Sequence, residues 1–294
     1  MLRSVFLTND SPPRWRLGWR LLFHTLLMLV LNVLLDGVVL LLALRWPGLA
    51  SLGEIGVVGA VAMTLATALA CRWWCRRSWV TLGLQWNKTA WRDFLAGVGI
   101  AAGAQTLIVL GLVALGMAKV SFPVGLTVGK VASTLASTTV LWAAVAWQEE
   151  LWMRGYWLQN IADTYGIGWG WVLSSMVFAV LHIFNPHMSW MAVLGLVLAG
   201  LFLGYGYVRT GYLWMPLGLH FGWNMFEGTV YGFAVSGANV SQILRTTTRG
   251  PAWLTGGAFG PEAGLIVVPA LLLGAWLIAV YAARGKEDTH EGAV

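Results

Sequence analysis

Apolar runs close to 20 residues long recur along the whole chain, and they constrain its fold more than any other feature. A hydrocarbon core ~30 Å thick is crossed by about 20 residues of helix, so each run is long enough to span a bilayer. Only 10% of the residues are charged, whereas soluble domains carry about 25%. The sequence therefore predicts an all-α, polytopic transmembrane helical bundle without a separate soluble domain.

We expect about eight membrane helices separated by turn-rich segments. The predicted spans are 21–44, 54–71, 94–117, 133–153, 168–186, 188–208, 212–235 and 264–283. The long connection at 236–263 is rich in Gly, Ser and Thr. This composition favours a plain loop over a cap on the bundle or a contact surface for an external partner.

The basic residues predict the orientation of the chain. With a cytoplasmic N-terminus, 13 of the 18 lysines and arginines fall on the cytoplasmic side and 5 on the other. This bias places both termini in the cytoplasm and the protein in the cytoplasmic (inner) membrane. The net charge of +6 is scattered over short loops, so nucleic acid is not a predicted partner. The cytoplasmic set comprises Arg3, Arg14, Arg16, Arg20, Arg72, Arg76, Arg77, Lys88, Arg92, Arg154, Arg209, Arg284 and Lys286.

Ionisable side chains inside membrane spans are costly, so each one needs an explanation. In the first span, His24 and Asp36 are interpreted as packing or hydrogen-bonding residues. The others are Glu149 and Glu150 in the fourth span, Arg154 at its end, His182 in the fifth, and His220 and Glu227 in the seventh.

The stretch AWQEELWMRGYW at 146–157 concentrates charge in the fourth span. Glu150 and Arg154 are four residues apart, share a helix face and can pair. Glu149 lies about 100° away around the helix and is left without that partner. It is therefore a candidate general base. The alternative from the residues alone is an ion cluster that only fixes helix packing.

Two histidines complete the candidate site. In FAVLHIFNP, His182 precedes Pro186, which we expect to end the helix. In PLGLHFGWNMFEG, the spacing of His220, Asn224 and Glu227 puts all three on one helix face. Counted at 1.5 Å per residue, Glu149, His182 and His220 lie at ~16, ~21 and ~12 Å from the cytoplasmic helix ends. Helix tilt absorbs such differences, so these groups can meet inside the bundle.

These residue types point to hydrolysis by one of two schemes. In the first, Glu149 takes a proton from a water that His182 holds, and His220 and Asn224 stabilise the oxyanion. In the second, Glu149, His182 and His220 hold a divalent metal such as zinc, which activates the water. The residues alone do not separate these schemes. No H-E-x-x-H, G-x-G-D or G-x-S-x-G motif is present in the sequence.

The chain resembles the CPBP group, which comprises the type II CAAX prenyl endopeptidases and their bacterial relatives, also called Abi proteins. The family motif EExxxR is matched by Glu149, Glu150 and Arg154. FxxxH is matched by Phe178 and His182, and HxxxN by His220 and Asn224. The resemblance implies a catalytic core at 133–227, between N-terminal helices with a cytoplasmic segment at 1–132 and a loop with the last helix at 228–294.

The resemblance also implies the activity and the role of each residue. Glu149 would activate water with His182, His220 and Asn224 would form the oxyanion side, and Glu150 and Arg154 would shape the site. The substrate would be a membrane-embedded or lipidated peptide or protein. We favour the metal-free scheme and keep zinc open, because both mechanisms are argued for this family. Glu227 lies outside the motifs and is interpreted either as a residue supporting His220 or as plain structure.

Two other function classes compete with a protease. The same fold can serve as a non-catalytic protein, such as a bacteriocin self-immunity factor or a regulatory scaffold. A complete set of candidate catalytic residues favours the enzyme over the scaffold. Ion transport through the polar cluster fits less well, because the polar residues lie at one level and form no path across the bilayer.

Overall fold

The computed structural model describes residue 7, residues 14–51 and residues 56–291, with the side chains of residue 50 and residues 285–291 left aside. Arg3 and most of the predicted N-terminal cytoplasmic segment lie outside these residues. The predicted polytopic helical bundle is confirmed. In the described part of the chain, six helices are long and apolar enough to cross a membrane: Leu17–Ala43, Val57–Cys75, Lys88–Ala114, Val128–Tyr165, Trp190–Thr210 and Val267–Arg284.

The elements follow one another in a simple order. The α-helices are α1 (Leu17–Ala43), α2 (Val57–Ala70), α3 (Lys88–Ala114), α4 (Val128–Glu150), α5 (Gln159–Tyr165), α6 (Ile167–Leu181), α7 (Trp190–Thr210), α8 (Trp214–Asn224), α9 (Ala252–Thr255) and α10 (Val267–Glu291). Turns of π-helix extend α2 at Cys71–Cys75, α4 at Leu151–Leu158 and α8 at Met225–Val230. Short 3-10 turns occupy Pro47–Ala50, Trp79–Leu82 and Pro261–Ala263.

Two of the eight predicted spans correspond to short helices. The span at 168–186 contains α6, whose 15 residues rise ~22 Å. The span at 212–235 contains α8, which has 11 residues and is followed by a π-helical turn of 6. Helices that stop at membrane depth are tolerated where surrounding protein satisfies their ends. The second of these helices carries His220, and His182 lies directly after the first.

The helix that carries the paired glutamates is unusually long. Val128–Tyr165 runs as one helical segment of 38 residues, about 57 Å at 1.5 Å per residue. Its α-helical hydrogen-bond pattern changes to a π-helix directly after Glu150, and Arg154 lies in that π-helix. A π-helical turn widens the helix and changes the direction of the side chains that follow it; such turns are frequent at functional sites.

Small residues bring α8 close against α3. A Cβ on Gly222 would lie 2.9 Å from the Cα of Val98, and a Cβ on Gly218 would collide with the backbone of Phe94. Close approach of backbones through glycine is the common way in which membrane helices pack. Because any side chain at these positions would force the helices apart, the two glycines fix the place of α8 and of His220.

The segment at 236–263 is not the plain loop that its composition favours, and that expectation is wrong. Its strand β2 (Arg245–Thr248) pairs antiparallel with β1 (Ala118–Ser121). Helix α9 and a 3-10 turn follow, and the backbone N–H of Gly237 donates to the carbonyl of Phe259 at 2.8 Å. A Cβ on Gly195 of α7 would collide with the carbonyl of Glu262. The segment therefore folds back onto the bundle.

Candidate active site

Three helices bring the predicted site residues to one cavity. Glu149 near the end of α4, His182 directly after α6, and His220 and Asn224 on α8 all line it. The Oε2 atom of Glu149 lies 3.6 Å from Nε2 of His182 and 3.9 Å from Nε2 of His220. The carboxylate therefore faces both imidazoles at distances too long for direct hydrogen bonds, and a water beside the three groups could bridge them.

Glu150 does not line the cavity, and its carboxylate accepts hydrogen bonds from two other side chains. Its Oε1 atom accepts from Nη1 of Arg154 at 2.8 Å and from Nδ1 of His220, also at 2.8 Å. Glu150 and Arg154 are both completely buried. Arg154 also donates to the carbonyl of Gly200 at 2.9 Å. The pair is thus neutralised inside the bundle, and Oε1 of Glu150 fixes the ring of His220.

The hydrogen bonds of the two histidines define their tautomers. The Nδ1 atom of His182 lies 2.8 Å from the carbonyl of Phe178, which can only accept. The Nδ1 atom of His220 lies against the Glu150 carboxylate. Both Nδ1 atoms therefore carry hydrogen, and both Nε2 atoms face Glu149.

Glu149 has the environment that a general base requires. Its side chain is 26% exposed, yet its Oε2 atom is buried without a hydrogen-bond partner. Buried polar atoms in proteins normally have a partner, either protein or water. An unpartnered carboxylate oxygen between two imidazole nitrogens is therefore the natural position for a water or for a polar atom of a substrate.

Phe178, the first residue of the second motif, has a structural task. Its ring lies 4.7 Å from the guanidinium carbon of Arg154 and its centroid is 4.7 Å from that of His182. The cation is thus covered by an aromatic face while the backbone carbonyl of the same residue orients His182. The expectation that Pro186 ends this helix is wrong, because α6 already ends at Leu181. His182 lies in the turn beyond it, and the carbonyl of His182 accepts from the backbone of Asn185 at 2.9 Å.

Glu227 and the two polar residues of α1 lie away from the cavity. Glu227 is buried after the π-helical change in α8, and its Oε2 accepts from Nε2 of Gln105 on α3 at 3.2 Å. Glu227 thus does not line the cavity that His220 and Asn224 line. His24 contacts Thr67 at 3.0 Å and Asp36 accepts from Asn32, as expected for residues that pack or hydrogen-bond.

The sequence reasoning missed part of the cavity wall. The segment between α8 and α10 supplies Val235, Ser236 and Glu262, and α10 supplies Leu271. Glu262 accepts from Nε1 of Trp223 at 3.1 Å, and from the backbone N and Oγ of Ser236 at 2.9 and 2.8 Å. In the sequence, Glu262 is a single acidic residue in a glycine-rich segment, and no motif or regular spacing marks it as functional. Only the fold-back of the chain brings Glu262 to the site.

Glu149, His182 and His220 have the atom types of a metal site, since a free Nε2 with a held Nδ1–H is usual for ligating histidines. Across residues 14–51 and 56–291, however, no group of three or more His, Cys, Asp or Glu side chains is arranged so that it could hold a metal ion. If Glu149, His182 and His220 close around a divalent ion, it would supply a Lewis acid that activates the water.

A wide cleft reaches the site from another direction. It has a volume of about 540 Å³ and contains Glu149 and His182 in its wall. Met28, Leu29 and Asn32 of α1 form one side, and Leu181 and Asn185 the other. Such a cleft is large enough for water and for an extended segment of substrate.

Comparison with known proteins agrees with this geometry. Residues 131–226 match the family described as type II CAAX prenyl endopeptidase Rce1-like. The match covers about a third of the chain and includes Glu149, His182, His220 and Asn224. No curated protein and no solved structure matches the chain. The family supports a CAAX-type intramembrane protease and, with the six apolar helices, an integral membrane protein.

Proposed function

We propose that this chain, which carries a type II CAAX prenyl endopeptidase Rce1-like domain at residues 131–226, hydrolyses peptide bonds by means of a water activated by Glu149. The substrate is a membrane-embedded or lipidated peptide or protein. The protein lies in the cytoplasmic membrane with both termini in the cytoplasm, as its distribution of basic residues indicates. The chemistry needs no cofactor, with zinc as the alternative.

One observation carries this proposal. The Oε2 atom of Glu149 is buried without a partner and faces Nε2 of His182 at 3.6 Å and Nε2 of His220 at 3.9 Å. A packing ion cluster would be expected to give each carboxylate a close donor, as Arg154 and His220 are for Oε1 of Glu150. Oε2 of Glu150 is also buried without a partner, but Glu150 does not line the cavity, whereas the free oxygen of Glu149 does.

The reaction begins with a water between Glu149 and His182. The water donates one hydrogen to Oε2 of Glu149 and the other to Nε2 of His182, so that an oxygen lone pair points to the substrate carbonyl carbon. Glu149 removes the first proton as the oxygen attacks. The bond between this oxygen and the carbonyl carbon forms, and the carbonyl oxygen becomes an oxyanion.

His220 and Asn224 are placed to stabilise that oxyanion. In its protonated form, His220 has a hydrogen on Nε2 as well as on Nδ1, so it donates to the oxyanion while still bonded to Glu150. The amide of Asn224 is a second donor in the same cavity. As the tetrahedral intermediate collapses, Glu149 returns its proton to the leaving amine, and the C–N bond breaks.

The test is cleavage of a quenched membrane-peptide library by the purified protein in nanodiscs. We expect Glu149→Gln to lower kcat by about 10²–10⁴-fold, the usual contribution of a general base. Asp93→Asn is the control, because it makes the same change of acid to amide at a buried carboxylate on α3 that does not line the cavity and accepts from Tyr281. Equal turnover by wild type and Glu149→Gln would refute the mechanism.

A chelator separates the two chemical schemes in the same assay. Activity that survives the chelator supports the metal-free reaction. Activity that is lost and then restored by added zinc supports a metal held by Glu149, His182 and His220. If wild type cleaves nothing and Glu149→Gln still complements a deletion of the gene, the non-catalytic scaffold takes the place of the protease.

A further inference from the structure

A groove rich in arginine opens at the C-terminal end of α2 and shares no wall residue with the candidate active site. We call it the arginine groove; its volume is about 850 Å³, and most of its wall is formed by Ala68, Arg72, Trp73, Arg76, Arg77 and Trp79. It lies where the apolar helix Val57–Cys75 ends. Trp73 is 55% exposed there, and tryptophan is enriched where membrane helices meet lipid headgroups. The groove therefore lies at the level of the headgroups.

The backbone at Arg76 brings the arginines together. Arg76 ends the π-helical turn of α2 in the left-handed conformation, with a φ of 52°. The carbonyl of Cys71 accepts from the backbone N–H of Arg77 at 3.0 Å, so the chain turns sharply and both arginines border the same groove as Arg72. Glycine adopts this conformation without the steric cost that a Cβ brings. Because strained backbone positions cluster at functional sites, an arginine here indicates that its side chain is used.

The charges of the arginine groove are only partly neutralised. Nη1 of Arg77 lies 3.2 Å from Oδ2 of Asp163 on α5. Arg72 and Arg76 are both exposed, and no acidic side chain in the described part of the chain pairs with either of them. Asp163 thus neutralises one of the three cations, and two positive charges remain. A guanidinium matches the geometry of a phosphate with two parallel hydrogen bonds, so the groove fits a ligand with two phosphate groups.

A second groove follows the same face of α2 towards the middle of the membrane. This apolar groove has a volume of about 290 Å³ and is lined by Val61 and Leu65 of α2 and by Trp147 of α4. Val61 and Leu65 are 45% and 43% exposed. Spacings of three and four residues place one stripe of α2 on a single face: Val61, Leu65, Ala68 and Arg72. From Val61 to Arg72 the helix rises ~16 Å, and one leaflet occupies about half of a ~30 Å hydrocarbon core. The stripe therefore has the length of a lipid acyl chain.

We propose that the two grooves together bind one anionic phospholipid that carries two phosphate groups. Arg72 and Arg76 hold the phosphates, and an acyl chain lies along Val61 and Leu65. Basic pockets beside membrane helices are known to bind phospholipid headgroups of this kind. The proposal does not depend on the protease function, because neither groove contains a candidate catalytic residue.

The experiment titrates lipids into the purified full-length protein in a neutral detergent and measures bound lipid by native mass spectrometry. Cardiolipin, which has two phosphates, should bind as a single copy. Phosphatidylglycerol, which has one, should bind about fivefold more weakly, since each basic residue near a membrane surface contributes about that factor. Equal binding of phosphatidylcholine would show an unspecific lipid shell and overturn the proposal. Equally tight binding of inorganic pyrophosphate, which has no acyl chain, would show a site for a free phosphate compound and also overturn it.

Single substitutions test the two free arginines. Arg72→Gln and Arg76→Gln should each lower the affinity for cardiolipin by about fivefold. Arg45→Gln is the matched control, because Arg45 is also exposed and lies over the ring of a tryptophan, Trp46, at 5.7 Å. It follows the end of α1 and lines neither groove, so its substitution should leave the affinity unchanged. An equal loss in Arg45→Gln would show that only the overall charge of the protein attracts the lipid.

Arg76→Gly separates lipid binding from folding. It removes the charge and also the steric cost of the left-handed backbone at this position. Without lipid, its melting temperature should therefore equal or exceed that of wild type, whereas its affinity for cardiolipin should fall by about fivefold. A folding defect cannot produce this combination. Unchanged affinity for cardiolipin in both Arg72→Gln and Arg76→Gly would overturn the proposal.

Discussion

Glu149 and Glu150 are adjacent in sequence, yet their replacement should affect different properties of the protein. Glu149 has a buried oxygen without a partner. Removing its charge should therefore leave stability unchanged or increase it, because no hydrogen bond is broken. The loss should fall on turnover, at about 10²–10⁴-fold in kcat. Thermal unfolding of Glu149→Gln in detergent should match that of wild type.

Replacing Glu150, by contrast, should mainly lower the stability of the protein. Its Oε1 atom accepts from Arg154 and from His220, each at 2.8 Å, and both members of the ion pair are completely buried. Glu150→Ala leaves the Arg154 guanidinium without its counter-charge, a change that destabilises proteins by about 3–5 kcal/mol. Glu150→Gln can keep both acceptor contacts through its single carbonyl oxygen and loses the charge. Its cost should be nearer the ~1.5–3 kcal/mol of a charged hydrogen bond.

The assay measures the melting temperature of wild type and of all three variants, and the turnover of each at one fixed temperature. The order of melting temperature should be wild type and Glu149→Gln together, then Glu150→Gln, then Glu150→Ala. Turnover should fall in Glu150→Ala as well, since His220 loses the bond that orients it. If Glu149→Gln were destabilised as strongly as Glu150→Ala, the division of roles between the two carboxylates would be wrong.

Three further outcomes follow from the structure. Glu227→Gln should lower kcat far less than Glu149→Gln, because Glu227 bonds to Gln105 and does not itself line the cavity, although it interacts with Trp223 and Glu262 of its wall; a fall comparable to that of a catalytic group would contradict this placement. Gly222→Val should lower the yield of folded protein, since overpacking costs about 1–3 kcal/mol and its Cβ would lie 2.9 Å from α3. Gly103→Val, where a Cβ meets nothing within 4 Å, should fold normally in size-exclusion chromatography. In Glu262→Gln, the amide N–H₂ would face at least one of the donors that Glu262 now accepts from, Trp223 or Ser236. Its kcat should therefore fall by about tenfold. Ser236→Ala should lower kcat less, because it removes a single donor.

The sequence by itself determines the class of fold and the chemistry that is available. Runs of apolar residues require membrane helices, because no other element of that length satisfies its backbone in lipid. The scarcity of charge makes Glu149, Glu150, His182 and His220 conspicuous, since each is costly at membrane depth. The i,i+4 spacing of Glu150 and Arg154 predicts their pairing from helix geometry alone.

The tertiary structure decides how these residues divide their tasks. The spacing cannot tell that one oxygen of Glu150 also binds His220, because that contact joins α4 to α8, 70 residues apart in sequence. Nor does it show that Glu227 bonds to Gln105 of α3 and does not line the cavity with His220.

The segment at 236–263 is the part of the fold that the sequence predicts least well. Its glycines and threonines have no periodicity, so composition favours a loop. Its order arises from long-range contacts: β2 pairs with β1, and Glu262 bonds to Trp223 and Ser236. Strand pairing and buried hydrogen bonds between distant residues depend on the packing of the whole bundle. The wall of the cavity at Glu149 is therefore decided by the tertiary structure.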